Sequence, residues 1–406
     1  MLPFPTDPVP PLHEVRVLDA ARVLAGPFCG QLLADLGAEV IKLERPGQGD
    51  DTRGWGPPDV PGFGDLSAYF LSCNRGKRSL TLDIASAEGG ELFHRLLAKC
   101  DVLLENFRTD SADKLGLAPG ALLAKHPRLI ACSISGFGRT GPLKDAPGYD
   151  FAVQARSGLM SITGPAEGPP YKVGVAVVDV LTGLYAANAV LAALHARSRS
   201  GHGYAIDLAL ADCALAAQVN VAQAYLTGGA VPSRQGNAHL QIVPYQLFAT
   251  ADGWLVLNVG NDAQWRAFCA TAGAPELGAA PEYATNRQRV ERRAEVVPKV
   301  DALMKRLGTA EWETRLTNAN VPHAVVRTYA DVFADPQTLA RGMKLTVRDP
   351  AGNPVDLIGS PLHLHGAAAP EPTMPPRLGA QTDAVLGELL GLGADAVRAL
   401  RDKGVV

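Results

Sequence analysis

The stretch VRVLDAARVLAGPFCGQLLADLGAEVIKLE, residues 15–44, carries the alternation that decides the fold. It contains a short apolar run (15–20), a helical pattern (26–37) and a second apolar run, EVIKLE (39–44). Short apolar runs on either side of an amphipathic segment predict a β-α-β unit.

The same alternation continues along the first half of the chain. Further apolar runs are SLTLDI (79–84), DVLLEN (101–106), LIACSIS (129–135) and YAIDLAL (204–210), and helical patterns cover 85–100, 119–128, 181–197 and 211–229. Alternating elements predict an α/β fold with a doubly wound, Rossmann-like parallel sheet. Ligands bind such sheets at the carboxyl ends of the strands.

From about Pro232 the pattern changes, and a second, smaller α+β domain is predicted. LFATADGWLVLNVG (247–260) is typical of a hairpin that turns at Asp252–Gly253, and helices are predicted over 262–272 and 289–306. The expected division is a large α/β domain (1–200), a linker helix region (201–230), the small domain (231–330) and a return that completes the large domain (331–406). In that return, a Pro-rich linker (367–379) precedes a last helix (381–392).

The composition is that of a globular protein. The chain has 406 residues, 47% of them hydrophobic, and a formal net charge of -3, which disfavours a nucleic-acid binder. We expect no leader peptide, no segment long enough to span a bilayer and a cytoplasmic location. The six cysteines lack C-x-x-C spacing, so neither a metal site nor a disulfide framework is expected.

One carboxylate lies in an apolar run, VGVAVVDVLTG (173–183), that leads into a predicted helix. Asp179 must therefore be hydrogen-bonded, paired or exposed in a cleft, because burying an unpaired carboxylate is costly. Taken alone, its position favours a helix N-cap over a catalytic group.

Other motifs exclude several classes of enzyme. GFGRTG (136–141) fits G-x-G-x-x-G, but Pro142 and Pro147 follow where a dinucleotide site needs a helix, so a loop is predicted. P-loop, nucleophile-elbow and H-E-x-x-H signatures are absent from the sequence. Cations expected at the strand ends suit a phosphorylated ligand, and they are Arg45, Arg53, Lys77, Arg78, Arg108 and Lys114.

Together with Asp179, several longer motifs resemble the class III (CaiB/BaiF-type) CoA-transferases. They are VLAGPFCGQLLADLGAEVIKLERPGQGDDTRGWGPP (23–58), CNRGKRSLTLDI (73–84), DVLLENF (101–107), SISGFGRTGP (133–142) and GYD (148–150). The resemblance covers nearly the whole chain. Within the family, RPGQGDDTRGWGPP, GVAVVDVLTGLYA and GNAHLQIVPYQLF (236–248) are most similar to the succinate–hydroxymethylglutarate (glutarate) CoA-transferases.

The resemblance implies a role for particular residues. Asp179 falls on the nucleophile of the family, and the acyl group would be bound by Val23, Leu24, Ala25, Tyr149 and Asp150. The CoA moiety would be bound by Arg45, Leu82, Asp83, Ile84, Asn106, Phe107 and Lys114. Leu24 stands where formyl-CoA transferases have Gln, and the glycine run of those enzymes is missing, which disfavours formyl-CoA and oxalate as substrates.

The implied activity moves CoA from an acyl-CoA, such as succinyl-CoA or a related dicarboxylic thioester, to a free carboxylic acid through an aspartyl-CoA thioester. An interlocked homodimer is implied as well, with no cofactor beyond the CoA substrate. Asp179 is expected to be ionised at neutral pH unless burial raises its pKa. Loop glycines and the helix start after Asp179 are expected to bind the oxyanions.

Two other functions stay open. An α-methylacyl-CoA racemase would share the fold, but Tyr149 stands where racemases have His and is a poor base near neutrality. A non-catalytic CoA-ester-binding protein is the other. Candidates to bind the distal carboxylate of a dicarboxylic acyl group are Arg139, Arg156, Arg234 and His239, which the sequence does not rank.

Overall fold

The computed structural model describes residues 9–62, 64–349 and 351–406. Residues 1–8, on which the expectation of no leader peptide partly rests, lie outside the described residues. Contacts divide the chain into two compact units. The first comprises the described residues up to Leu159, together with Val173–Thr227 and Pro336–Val406, and the second comprises Met160–Lys172 and Gly228–Asp335.

Six strands of the first unit form the predicted parallel sheet. The strands in chain order are β1 (Arg16–Asp19), β2 (Glu39–Glu44), β3 (Lys77–Thr81), β4 (Val102–Glu105), β5 (Ile130–Ser135), β6 (Tyr204–Ala209), β7 (Tyr245–Ala249), β8 (Trp254–Asn258), β9 (His323–Val325), β10 (Lys344–Arg348) and β11 (Pro354–Ile358). Six of them pair in parallel in the order β3-β2-β1-β4-β5-β6. This is the strand order of doubly wound folds, and the direction of winding reverses between β1 and β4.

The helices in chain order are α1 (Ala25–Asp35), α2 (Ala68–Leu71), α3 (Ala87–Leu97), α4 (Thr109–Lys114), α5 (Pro119–Lys125), α6 (Asp150–Arg156), α7 (Val177–Ser200), α8 (Leu210–Ala216), α9 (Val219–Gly228), α10 (Asp262–Thr271), α11 (Pro275–Ala279), α12 (Asn286–Glu291), α13 (Arg293–Met304), α14 (Thr309–Asn318), α15 (Tyr329–Ala334), α16 (Pro336–Ala340), α17 (Thr382–Leu390) and α18 (Ala394–Asp402). Short 3₁₀ turns lie at Asp51–Gly54, Leu159–Ile162 and Pro281–Tyr283.

Both faces of the parallel sheet are covered, because successive side chains of a strand point to opposite sides. Val17 and Val40 pack in one core with residues of α1 and α7. The next residue along each strand, Leu18 or Ile41, packs in a second core with residues of α3, α17 and α18. The apolar runs therefore reflect burial on two faces, as parallel strands require.

The second unit contains the predicted hairpin. β7 and β8 pair antiparallel around the turn, and β9 adds to β8. Trp265, Phe268 and Trp312 are buried together in its core and stack on one another. β10 and β11 form a separate antiparallel pair in the first unit.

Three sequence predictions need correction. The helix predicted over 211–229 is two helices, α8 and α9, and Val219 at their junction has a positive φ of 23° that an α-helix does not accept. A second C-terminal helix, α18, follows the predicted last one. Lys77 and Arg78 begin β3 rather than follow a strand, so they lie at the amino end of the sheet.

The expectation that no segment is long and apolar enough to cross a membrane is wrong. Judged only by its length and composition, α7 meets that criterion. Buried residues of this helix, such as Val178, Ala186 and Val190, belong to the same core as α1. Core helices pass the same criterion, so the finding is weak evidence for a membrane span.

Candidate active site

Two cavities lie at the carboxyl ends of the strands, where a doubly wound sheet binds its ligands. The larger cavity, of about 430 Å³, lies beside the loops that follow β1, β2, β3 and β4. The smaller cavity, of about 270 Å³, lies beside the loops that follow β1, β4 and β5 and the first turn of α7. Arg22 and Phe107 line both cavities. The loops after β1 and β4, where the winding reverses, therefore contribute to both.

The larger cavity gathers most residues that the resemblance assigns to CoA binding. Those that line it are Arg45, Leu82, Asp83, Ile84, Phe107 and Lys114. Arg45 follows β2 directly and is exposed, as a cation that meets a phosphate in solvent should be. Asn106, the remaining member of that set, lines the smaller cavity instead.

The smaller cavity gathers most residues that the resemblance places around the reacting acyl group. Asp179 lines it together with Val23, Leu24, Ala25 and Tyr149. Tyr149 is 68% exposed, so its hydroxyl is accessible from solvent. Asp150 is not among the lining residues.

The position of Asp179 in the sequence suggested that it is the N-cap of α7, and the structure shows that it is not. The N-cap is Ala176, whose side chain makes no capping hydrogen bond, and Asp179 lies in the first turn, where the helix dipole favours a carboxylate. Burial, and then the negative charge of Asp150, raise the pKa of Asp179 from 3.8 to about 7. At neutral pH a smaller fraction of the Asp179 side chains is therefore ionised than of an ordinary aspartate.

Asp150 caps the helix from a distant position in the sequence. One of its oxygens accepts a hydrogen bond from the N–H of Val178 at 2.7 Å and a longer one from the N–H of Asp179 at 3.3 Å. Its other oxygen accepts one from Gln154 Nε2 at 2.6 Å. This buried carboxylate therefore anchors the turn that carries Asp179. The resemblance implied instead that Asp150 binds the acyl group, but it does not line the cavity.

The N–H groups at the start of α7 were expected to bind the oxyanions, but they already have acceptors. The N–H groups of Val178 and Asp179 already donate to Asp150, and that of Val180 donates to the carbonyl of Ala176. The start of α7 is thus not a source of free donors, contrary to expectation. Gly136 and Gly148 line the smaller cavity and approach so closely that a Cβ on Gly136 would lie 2.6 Å from the Cα of Gly148.

The side chain of Asn106 holds the loop after β1 through two hydrogen bonds. It accepts a hydrogen bond from the N–H of Arg22 at 2.9 Å and donates to the carbonyl of the same residue at 2.8 Å. This reciprocal pair joins the loops after β1 and β4, which line both cavities. Asn106 therefore shapes the site through the backbone of Arg22.

The cations predicted at this edge divide into two groups. Arg45, Lys114 and Arg108 line a cavity. The others do not: Arg53 is buried against Glu44 at 2.7 Å, and Lys77 and Arg78 lie at the amino end of β3.

Of the four cations proposed to bind a distal carboxylate, Arg139 and Arg156 do not line the smaller cavity, and Arg234 and His239 belong to the second unit. Arg139 is held by Glu105 at 2.8 Å and by the hydroxyl of Ser133 at 3.1 Å. Arg156 lies over the ring of Phe137.

Three residues of the smaller cavity region were missed by sequence reasoning. Arg22 follows β1 closely, so the strand-end pattern could have found it, and it pairs with Asp51 at 3.1 Å. Lys144 lies in a loop rich in Gly and Pro, where no sequence pattern marks it. Burial, and then the charge of Asp179, raise the pKa of Tyr69 on α2 to about 12, so its hydroxyl stays a proton donor near that carboxylate.

Comparison with known proteins identifies the family of the chain. The sequence model of the family described as CoA-transferase family III matches residues 12–382. The chain is 43% identical over 383 residues to the succinate–glutarate CoA-transferase of Agrobacterium fabrum, which covers 94% of this chain and 96% of that protein. It is 40% identical over 400 residues to the succinyl-CoA:glutarate CoA-transferase of Mus musculus, covering 98% and 91% of the two chains.

A solved structure gives the same result. The crystal structure of a CaiB/BaiF family protein from Brucella suis has a TM-score of 0.82 and 43% sequence identity, and the match covers 94% of this chain and 100% of that one. The chain belongs to CoA-transferase family III and is a CoA-transferase.

Proposed function

We propose that this chain moves CoA between succinyl-CoA and a free dicarboxylic acid such as glutarate, with Asp179 as the nucleophile. The observation that carries the proposal is the position of Asp179. It is a partly buried carboxylate of raised pKa, in a cavity that shares Arg22 and Phe107 with a larger cavity at the strand ends. Relatives that are about 40% identical over nearly the whole chain are named for succinate or succinyl-CoA and glutarate.

The two cavities divide the substrate between them. CoA would lie in the larger cavity, with Arg45 and Lys114 available to its phosphates and Leu82, Ile84 and Phe107 offering apolar surface to the rest. The thioester would reach the smaller cavity past Phe107, which both cavities share. In this arrangement the thioester carbonyl would lie beside the carboxylate of Asp179.

The reaction proceeds by covalent catalysis in which each step exchanges one acyl bond. The Asp179 carboxylate attacks the thioester carbonyl and expels CoA as the thiolate. The product on the enzyme is a mixed anhydride of Asp179 and the donor acid. The thiolate then attacks the Asp179 carbonyl, which releases the donor acid and leaves an aspartyl-CoA thioester. The acceptor carboxylate attacks that thioester, and the returning thiolate takes the acceptor acyl group and regenerates the carboxylate. Two easier exchanges thus replace one difficult transfer.

The raised pKa of Asp179 bears on the first step. Burial removes water from the carboxylate, which disfavours its charge and makes the ionised form more reactive toward a carbonyl. The charge passes from the buried carboxylate to the departing CoA thiolate when the anhydride forms, so the desolvation cost at Asp179 is relieved as the reaction proceeds.

Lys144 is the residue that we propose to bind the distal carboxylate of the dicarboxylic acyl group. It lines the smaller cavity together with Asp179 and is exposed. The other cations there, Arg22 and Arg108, already pair with carboxylates at 3.1 and 3.3 Å. Within the described part of the chain, the ammonium group of Lys144 has no such ion pair. It is therefore available to a substrate anion.

A racemase is less well supported. The residue at the position of the racemase His is Tyr149, and the neighbouring Asp150 is buried and caps α7.

We further propose that two copies of the chain assemble into an interlocked homodimer. Apolar side chains are exposed along three successive helices, and they are Leu184, Tyr185, Leu191, Leu215, Val219, Tyr225 and Leu226. An apolar surface of this kind marks a protein contact. A cytoplasmic location and the need for no cofactor beyond the CoA substrate stay predictions of the sequence.

The test of the proposed function is a panel of acyl-CoA donors and free acids, with the products identified by mass spectrometry. Succinyl-CoA with glutarate should give glutaryl-CoA and succinate, and monocarboxylic donors should react poorly. Hydroxylamine should trap Asp179 as a hydroxamate after incubation with donor alone. Asp179→Asn should lose transfer and trapping, whereas Asp212→Asn, at the same first-turn position of α8 but exposed, should retain both. Transfer by the Asp179→Asn protein would refute the nucleophile assignment.

A further inference from the structure

The loop between β1 and α1, residues 20–24, is held by side chains that come from elsewhere in the first unit. Lys42 Nζ donates a hydrogen bond to the carbonyl of Ala21 at 3.0 Å. The N–H of Val23 donates to the two carboxylate oxygens of Asp50, each at 3.3 Å. The backbone of this loop is thus bound to the same two side chains that form an ion pair with each other.

Val23 has a backbone conformation that a β-branched residue rarely adopts. Its φ is 71°, in the left-handed region, where crowding of Cβ against the backbone disfavours every residue except Gly and, less strongly, Asn and Asp. Such a conformation persists only where the surroundings over-determine it, and it clusters at functional sites. Leu24 and Ala25 follow it directly and line the cavity that holds Asp179.

The ion pair of Lys42 and Asp50 is completely buried. Its two charged atoms are 2.8 Å apart, and both side chains are inaccessible to solvent. Asp50 also accepts hydrogen bonds from the N–H and the hydroxyl of Thr52, at 3.0 and 2.8 Å. Burial alone would raise the pKa of Asp50, but the charge of Lys42 and these hydrogen bonds hold it below its ordinary value. The carboxylate is therefore an ionised, rigidly placed acceptor for the N–H of Val23.

The residues of the pair and the loop residue that they hold line different cavities. Lys42 and Asp50 are among the residues that line the larger cavity. Val23 lines the smaller one. A change in the pair would therefore be transmitted to the wall of the smaller cavity through one backbone angle.

We propose that Asp50, with its partner Lys42, is a positioning residue for acyl transfer: it holds Val23 in the left-handed conformation and so sets Leu24 and Ala25 against the cavity of Asp179. The inference rests on the assignment of that cavity to the transfer reaction. The buried pair thus fixes the backbone conformation of Val23 in addition to any contribution to the stability of the fold. Asp50 acts on the reaction only through Val23.

The test is a double-mutant cycle on steady-state kinetics, with whichever acyl-CoA the wild-type protein turns over, so that a wrong substrate proposal leaves the test intact. Asp50→Asn keeps an acceptor but removes the charge that holds it in place. It should lower kcat by at least about tenfold, with a change in KM for acyl-CoA of less than about threefold. In the Val23→Gly background the left-handed conformation needs no support, so the same substitution should cost less than about threefold in kcat.

An equal loss of kcat in both backgrounds would overturn the proposal, because Asp50 would then act by a route other than the angle at Val23. A rise in KM without a fall in kcat would overturn it as well, since it would assign Asp50 to CoA binding. The matched control is Asp35→Asn, which breaks the buried ion pair between Asp35 and Arg75. Asp35 is the last residue of α1, at the end of this helix that is farther from Val23, so the substitution should leave kcat within about twofold.

A second measurement serves if the Asp50→Asn protein does not fold. In the wild-type protein the N–H of Val23 donates to a buried carboxylate, so hydrogen exchange of the peptide that covers residues 20–25 should be slow. Exchange of that peptide as fast as in the exposed loop at 139–145 would overturn the proposal, because the loop would then not be held.

Discussion

Replacing Asp179 should stabilise the fold, and the gain should grow with pH. The pKa of Asp179 rises from 3.8 to about 7 in the folded protein, chiefly through burial and then through the charge of Asp150. Above pH 7 the folded protein must hold a charged, desolvated carboxylate that the unfolded chain leaves in water. Asp179→Asn keeps the size of the side chain and removes this cost.

The magnitude follows from linkage between protonation and folding. Below pH 3.8 the carboxyl group is protonated in both states and contributes no difference. As the pH rises, the unfolded chain ionises first, so the wild-type protein loses stability until the folded state ionises near pH 7. The loss is about 1 kcal/mol at pH 4.5 and about 4 kcal/mol at pH 8.5. The pH-dependent gain of the variant should therefore be about 3 kcal/mol between these two conditions.

The assay is urea unfolding at 25 °C, followed by circular dichroism at pH 4.5 and pH 8.5, with thermal unfolding as a check. Asp179→Asn should raise the unfolding midpoint clearly at pH 8.5 and only slightly at pH 4.5. Asp212→Asn, the exposed first-turn aspartate of α8, should shift it little at either pH. If the difference between Asp179→Asn and the wild-type protein were the same at both pH values, Asp179 would not carry the raised pKa, and the reasoning would be refuted.

Three further predictions concern activity. In the wild-type protein kcat/KM should rise with pH through about 7, because transfer needs the ionised form of Asp179. Asp150→Asn should move the midpoint of this rise to lower pH, because it removes the nearby negative charge. A midpoint that does not move in initial-rate profiles from pH 5 to 9 would contradict this prediction. Arg45→Ala should raise KM for acyl-CoA by about tenfold with little change in kcat, and an unchanged KM would remove Arg45 from CoA binding. Lys144→Ala should cut kcat/KM for succinyl-CoA by about tenfold yet leave any monocarboxylic donor nearly unaffected; equal losses for both donors would rule out a contact with the distal carboxylate.

Much of the fold could be predicted because its physical cause is local. EVIKLE was predicted as a strand over 39–44 and is β2 with the same bounds, since both faces of a parallel strand are buried and its apolar residues Val40, Ile41 and Leu43 pack in the cores on the two faces. Predictions failed where a local pattern was ambiguous. The apolar segment at 211–229 has helical periodicity throughout, and nothing in it marks the break that the backbone makes at Val219.

The candidate site was predictable in membership and not in detail. Family motifs named residues of both cavities because they recur at recognisable spacings. They could not show that Asn106 is committed to the backbone of Arg22, or that Arg139 is committed to Glu105, because a hydrogen-bond partner distant in the chain leaves no local trace.

The sequence by itself determined the α/β alternation, the family and the identity of Asp179 as the carboxylate of interest, since these depend on residue types and their spacing. Only the tertiary structure decided how that carboxylate behaves. Folding buries it in the first turn of α7 and places Asp150, 29 residues earlier, against the N–H groups of that turn. Desolvation and the approach of a like charge depend on what surrounds a group in space, so the raised pKa of Asp179 belongs to the folded chain alone.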